Sequence, residues 1–199
     1  MTMDTKALLA EAEALKPQLL TDRRTLHRDP EVGPSLPRTA AYVTERLTAL
    51  GYTPRPLAGG VVADITGEDT GRCVLLRADM DALRVREATG LDFQSENGAM
   101  HACGHDMHTA IAAGIACELN RVKDRLNCNI LVLFQPAEEA NPVGGARPVT
   151  EAGFLTDQHI DEMYGLHMWP SLPVGDIELR PGPIMAASDR FRIEVLGTA

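Results

Sequence analysis

Ten residues, Met-His-Ala-Cys-Gly-His-Asp-Met-His-Thr at positions 100–109, carry one thiol, three imidazoles and a carboxylate. Cys103 and His105 are spaced to grip one metal ion, and Gly104 between them has no side chain to obstruct it. Thiolate and imidazole suit zinc and other borderline metals, and carboxylates suit zinc and harder ions such as manganese. Glu138, Glu139 and His167, each at or just past the end of a short apolar run, supply the other half of such a site. A thiolate can bridge two ions, and a pair of ions can polarise an amide carbonyl and lower the pKa of a shared water. That water needs a base. Adjacent glutamates allow a division of labour in which one binds metal and its neighbour, aimed elsewhere by the backbone, takes the proton. Asp79 and Asp81 are then ligands or groups that orient the imidazoles.

Each of these residues also has a blander account. A lone cysteine is usually a small core hydrophobe, which suits Cys73, Cys117 and Cys128 and competes for Cys103. A Glu-Glu pair is often a solvated loop, and His167 beside Trp169 can be a packed histidine. His108, one helical turn after His105, is structural or faces substrate. His101 reads the same way, although period-two spacing sets it beside Cys103 and His105. His27 is a buried helix-end histidine or a substrate contact. Joint placement favours a site, because most of these groups fall at or after the ends of predicted strands.

The elements that must position them follow from apolar periodicity. Leu8, Leu9, Ala12, Leu15, Leu19 and Leu20 predict a helix over residues 5–28, which Pro17 should bend or split and Pro30 should end. A second helix covers 39–50, stopped by Gly51. Strands are expected at 60–65, 73–76, 130–134 and 163–167. A helix opened by Asp106 spans 104–121, and another lies near 146–152, which Pro148 could shorten. Residues 175–179 and 191–196 alternate apolar and polar, as half-exposed strands do. Helices alternating with buried strands indicate an α/β sheet with helices on both faces, and open sheets of this kind collect ligands beyond their strand ends.

Composition narrows the function classes. The chain has 199 residues, 44% hydrophobic and 24% charged, enough for a domain with a real core. Nineteen basic against 28 acidic residues, a net charge of −9, argues against a nucleic-acid partner. No apolar run approaches the roughly 20 residues that span a bilayer, so no membrane partner is expected. Acidic residues interrupt the N-terminal apolar stretch, a poor signal peptide, which leaves the cytoplasm as the expectation. The four cysteines lack a C-x-x-C pair and read as free thiols or ligands.

At these residues the chain resembles the metal-dependent amidohydrolases that include N-acyl-amino-acid amidohydrolases, hippurate hydrolases and plant auxin-conjugate hydrolases, within the aminoacylase and carboxypeptidase group. The resemblance runs through Arg-Thr-Leu-His-Arg-Asp-Pro-Glu (24–31), Arg-Ala-Asp-Met-Asp-Ala-Leu (77–83), the 100–110 stretch, Phe-Gln-Pro-Ala-Glu-Glu (134–139) and Gly-Leu-His-Met-Trp-Pro (165–170). It implies a three-layer α/β/α two-metal exopeptidase-like catalytic domain, with its N-terminal part at 1–186. The first strand of a smaller α/β dimerisation domain would lie at 187–199, from Ser188 to Leu196. It implies Cys103, His105, Glu139 and His167 as ligands of two divalent ions, zinc or manganese with cobalt or nickel as substitutes, and Cys103 as the bridge. Glu138 becomes the general base that passes its proton to the leaving amine. The substrate would be an N-acyl-amino acid, cleaved to a carboxylic acid and a free amino acid, and the full-length enzyme a homodimer.

Two departures stand out. Arg84 occupies a position where the family usually has proline. Family members also continue well past residue 199, through the rest of the insert and a final histidine ligand. The expectation is therefore a chain holding most of the metal site, with an exposed sheet edge prone to self-association. A catalytically inactive metal-binding fragment, a related aminopeptidase or dipeptidase, and a hydrolase with Cys103 as nucleophile are the alternatives.

Overall fold

A computed structural model describes residues 4–68, 70–140, 144–187, 189 and 191–197. Helix α1 (Thr5–Arg28) starts where the Asp4 side chain accepts the N–H groups of Lys6 and Ala7, satisfying two otherwise orphaned donors. Pro17 lies inside it without splitting it in two, and its carbonyl takes a hydrogen bond from the Thr21 hydroxyl. Helix α2 (Pro37–Ala49) has proline at its first position, where no N–H is needed. It ends at Gly51, whose left-handed backbone lets Gly51 and Tyr52 donate back to Thr48 and Leu47.

Five strands follow: β1 (Arg55–Leu57), β2 (Gly60–Ile65), β3 (Cys73–Asp79), β4 (Asn129–Gln135) and β5 (Glu162–Gly165). They form one sheet in the order β1-β2-β4-β3-β5. β1 and β2 form an antiparallel hairpin, and β2 runs antiparallel to β4, whereas β3 is parallel to both β4 and β5. The three adjacent parallel strands therefore end on the same side of the sheet.

Alternation along the strands makes two cores. Val61, Ala63, Ile65, Ile130, Val132 and Phe134 face one way, into a cluster with Val43 and Leu47 of α2 and Ala112, Ala113 and Ala116 of helix α3 (His105–Val122). Val62, Leu75, Leu131 and Leu133 face the other way, against Val149 of α4 (Ala146–Glu151) and Phe154 of α5 (Phe154–Asp157). The chain is a three-layer α/β/α arrangement around a mixed sheet, as expected. Pro148 falls in the first turn of α4, where a missing N–H costs nothing. Cys73 is buried and Cys117 and Cys128 are half-buried free thiols, matching their reading as small core residues.

By its own contacts the chain divides into Met1–Met168, which holds the sheet and helices, and Trp169–Ala199. In the second unit the expected strands at 175–179 and 191–196 do not form among the described residues. Val174, Ile177, Phe191, Ile193 and Val195 are exposed, so the alternating pattern is there without the paired backbone a strand requires. Ser188 and Arg190, part of the predicted first strand of an insert, lie outside the described residues. No helix is long and apolar enough to cross a membrane among the described residues.

Candidate metal centre

The ends of β3, β4 and β5, together with the first turn of α3, bring the predicted residues to one place. Asp79 ends β3 and Asp81 follows it, Glu138 and Glu139 follow β4, and His167 follows β5. Cys103, His105 and His167 each offer a donor atom within 4.8 Å of the others, and so do His105, Glu138 and Glu139. The Cys103 Sγ lies 3.4 Å from His167 Nε2. His105 Nε2 is 3.8 Å from Glu138 Oε2 and 4.0 Å from Glu139 Oε1. Cys103, His105 and His167 on one side and Glu138 and Glu139 on the other thus form two groups that share His105.

Local backbone explains the delivery. Gly104 sits at the N-cap of α3 with φ 87°, a left-handed conformation that turns Cys103 and His105 toward the same space. A Cβ there would also come within 3.3 Å of the Met168 Cβ. Gly104→Ala is expected to cost about 1–2 kcal/mol, read as a lower midpoint in urea unfolding. The helix start differs from expectation in one respect. Asp106 does not cap α3; it lies in the first turn, fully buried, and bonds to α1 instead. His101 differs too, because the turn at 102–104 breaks the period-two spacing. Its ring is buried facing His27, with centroids 6.3 Å apart, and it joins none of the candidate metal groups among the described residues. Arg84 is exposed.

Beyond β4, Ala137 adopts a left-handed φ of 59° while buried. That strained turn aims the next two N–H groups at one carboxylate: Asp81 Oδ1 accepts from Glu138 N and Oδ2 from Glu139 N, both at 3.0 Å. Asp81 is therefore an anchor for the Glu-Glu pair. It also lies 3.4 Å from His105 Nδ1. Replacing it with asparagine removes one acceptor oxygen and turns an NH2 group on a backbone N–H. Asp81→Asn is expected to lower metal affinity about 10–100-fold, measurable by competition with a chelating dye.

Asp79 anchors a second chain of contacts. Arg77 Nη1 donates to its Oδ2 at 2.6 Å, and His108 Nδ1 lies 2.5 Å from its Oδ1. The Met168 N–H donates to His108 Nε2 at 2.9 Å. That bond fixes the tautomer: Nε2 carries the lone pair and Nδ1 the proton given to Asp79. Asp79, His105 and His108 also cluster within 4.8 Å, but both ring nitrogens of His108 are already committed. His108 is consequently neither a free ligand nor a substrate contact; it positions the backbone next to His167. Neither the Arg77 contact nor the Met168 contact was legible from residue types.

The electrostatics suit a cation. Burial pushes the Asp79 carboxyl up, but the His108 hydrogen bond and the charges of Arg77 and His105 outweigh it and hold the group down at about 2. Burial, and then the neighbouring Glu139, Glu138 and Asp79 carboxylates, push the Cys103 thiol up to about 12. Burial and the Glu139 charge raise the Glu138 carboxyl above its ordinary value. His105 is wholly buried, and neither of its ring nitrogens has a hydrogen-bond partner among the described residues. Asp81 is near Nδ1 without the alignment of a hydrogen bond. A buried imidazole with an unsatisfied nitrogen facing a thiol and three carboxylates is poorly explained as packing and fits a ligand of a metal ion. The residues present thus fit a divalent metal with mixed sulfur, nitrogen and oxygen donors.

Residues 75–197 match the family model described as peptidase family M20/M25/M40. The chain is 44% identical over 200 residues to the N-acetyl-L-cysteine deacetylase of Bacillus subtilis, covering 99% of this chain and 47% of that protein. It is 40% identical over 188 residues to the N-acyl-L-amino acid amidohydrolase of Geobacillus stearothermophilus, covering 93% of this chain and 50% of the relative. Among solved structures it is similar to the YXEP protein of Bacillus subtilis, a dinuclear metal-binding peptidase of the M20 family. The TM-score there is 0.76 at 38% identity, with 82% of this chain and 46% of that one covered. The chain spans about half the length of the curated relatives it matches.

Proposed function

The chain belongs to peptidase family M20/M25/M40, and from that premise we propose that its site hydrolyses the amide bond of N-acyl-amino acids, releasing a carboxylic acid and a free amino acid. The observation that carries the reading is the convergence of Cys103, His105, Glu138, Glu139 and His167 beyond three parallel strands, around a buried imidazole whose ring nitrogens have no hydrogen-bond partner among the described residues. Relatives that are an N-acyl-amino-acid amidohydrolase and an N-acetylcysteine deacetylase support the substrate class.

In this reading Cys103, His105, Glu139 and His167 would hold two divalent ions, zinc or manganese. Bound there, the ions would polarise the amide carbonyl and acidify a water. The chain's own residues do the rest. Glu138, 43% exposed in its side chain against 26% for Glu139, faces the open side of the site and takes the proton from the water. Its raised carboxyl suits a group that must both accept that proton and return it to the leaving amine. Asp81 holds both glutamates by their backbone, and Asp79 and His108 hold the strand end that carries His167. The same proposal includes a cytoplasmic location, supported by four free thiols, and the homodimer that the resemblance implies.

Hydrolysis of N-acetyl- and N-benzoyl-amino acids, measured with added manganese or zinc and abolished by a chelator, tests the proposal. Metal binding without any turnover of either substrate would replace it with the metal-binding reading. Activity that a chelator leaves untouched would point to Cys103 as a nucleophile instead.

A further inference from the structure

A second buried cluster lies on the far side of the first turn of α3. Asp106 follows His105 directly, and along a helix consecutive side chains point about 100° apart. His105 faces the strand ends while Asp106 faces α1. Its carboxylate is fully buried, and a buried charge has to be paired. Asp106 Oδ2 is 2.8 Å from His27 Nδ1 and takes a hydrogen bond from Arg23 Nε at 2.9 Å. The other nitrogen of His27, Nε2, lies 3.1 Å from Glu87 Oε1. Glu87 is held in turn by the Ser95 N–H at 2.7 Å and by the Thr89 hydroxyl. His27 is itself only 2% exposed, which leaves no face for a substrate.

An imidazole that meets a carboxylate at each nitrogen donates at both, so His27 is an imidazolium between two carboxylates. Its hydrogen bond to Asp106 raises its pKa, with burial opposing and Glu87 assisting. With Arg23, the cluster balances two negative charges by two positive ones. It also joins three separate pieces of chain: α1 through His27 and Arg23, the loop of residues 84–99 through Glu87, and α3 through Asp106. That loop returns to Met100, which is paired to Leu83 by two backbone hydrogen bonds of 3.0 Å. The Cys103–His105 turn is thus fixed on its entry side by the Leu83–Met100 bridge and on its exit side by Asp106.

We propose that His27 is a positioning residue for the metal centre: clamped between Asp106 and Glu87, it locks the rotation of the first turn of α3 and so sets where His105 points relative to Cys103. The inference rests on the reading of Cys103 and His105 as metal ligands. It goes beyond that reading by assigning the spacing of those two donors to a residue on another helix that touches neither of them.

The test uses cobalt(II) as the probe on the 199-residue chain, because a thiolate bound to cobalt gives its own charge-transfer absorption. Affinity, band position and metal-free thermal melting by circular dichroism are read for the wild type, His27→Asn and Glu87→Gln. His27→Asn is expected to fold, to bind cobalt about 10-fold or more weakly, and to shift the thiolate band. Glu87→Gln, which removes one charge of the clamp outside α3, is expected to shift both in the same direction by less. If His27→Asn melts earlier but its folded fraction binds cobalt with wild-type affinity and band, His27 is only a fold-stabilising residue and the proposal is overturned. If His27→Asn does not fold, Glu87→Gln decides by the same criterion. If the wild type itself binds cobalt without a thiolate band, the ligand reading of Cys103 fails, and the proposal falls with it for that separate reason.

Discussion

Glu138→Gln is expected to leave the chain folded and metallated while lowering turnover of an N-acyl-amino acid by about 10²–10⁴-fold, the range for removing a general base. The Glu138 N–H donates to Asp81, a bond that glutamine keeps, so the turn after β4 is undisturbed. Glutamine has nearly the same shape as glutamate, but its amide cannot accept a proton at neutral pH. The change removes the base and little else. Of the two glutamates, Glu138 is the more exposed, and its carboxyl is raised by burial and by the charge of Glu139. Both features suit a group that meets water and exchanges a proton, whereas the partner nearer the interior suits a permanent charge on a cation. Turnover and metal content of the dialysed protein, measured on the same sample, check the assignment. Metal lost along with activity would mean that the roles of Glu138 and Glu139 are exchanged.

The donor set was legible in the sequence because the physics that makes it is local. Cys103 and His105 are two residues apart. Glu138 and Glu139 follow the buried strand Asn129–Gln135, which alternates across two cores, and His167 follows the exposed strand Glu162–Gly165; both strands run parallel to β3 and end on the same side of the sheet. What holds those donors was not legible, because it depends on pairings across long stretches of chain. Asp81 accepts from residues 57 and 58 positions away, and His27 meets Asp106 across 79. Residue types announce that a carboxylate is present but not which backbone N–H it will face. The β1–β2 hairpin escaped for a different reason. β1 has three residues flanked and interrupted by Pro54 and Pro56, and its turn places Ala58 at φ 49°, where asparagine or glycine is the usual signal. The expected strands at 175–179 and 191–196 failed in the opposite sense. Their alternation is genuine, yet a strand is a property of a pair, and no pairing backbone meets them among the described residues.

Cys103→Ser is expected to cost more metal affinity than any change to the groups that support the site, exceeding the roughly 10–100-fold of outer partners such as Asp81. It should also change how binding depends on pH. Burial and the neighbouring carboxylates push the Cys103 thiol up to about 12, which favours the thiol over the thiolate. Only thiolate binds metal, and an ion taken up there must expel that proton. At alkaline pH affinity should therefore rise by about tenfold per pH unit, one proton released per thiolate formed. The sign is fixed: raising pH favours the deprotonated ligand and tightens binding, and lowering it returns the proton and weakens binding. Serine keeps the position and much of the shape but does not ionise in this range, so the variant should lose that one-proton slope as well as the affinity. A cysteine that merely packs against His167 would behave otherwise. Its replacement would leave both the slope and the affinity within about twofold of the wild type, and the 3.4 Å approach of Sγ to the His167 ring would then be a packing contact at the surface and not half of a metal site.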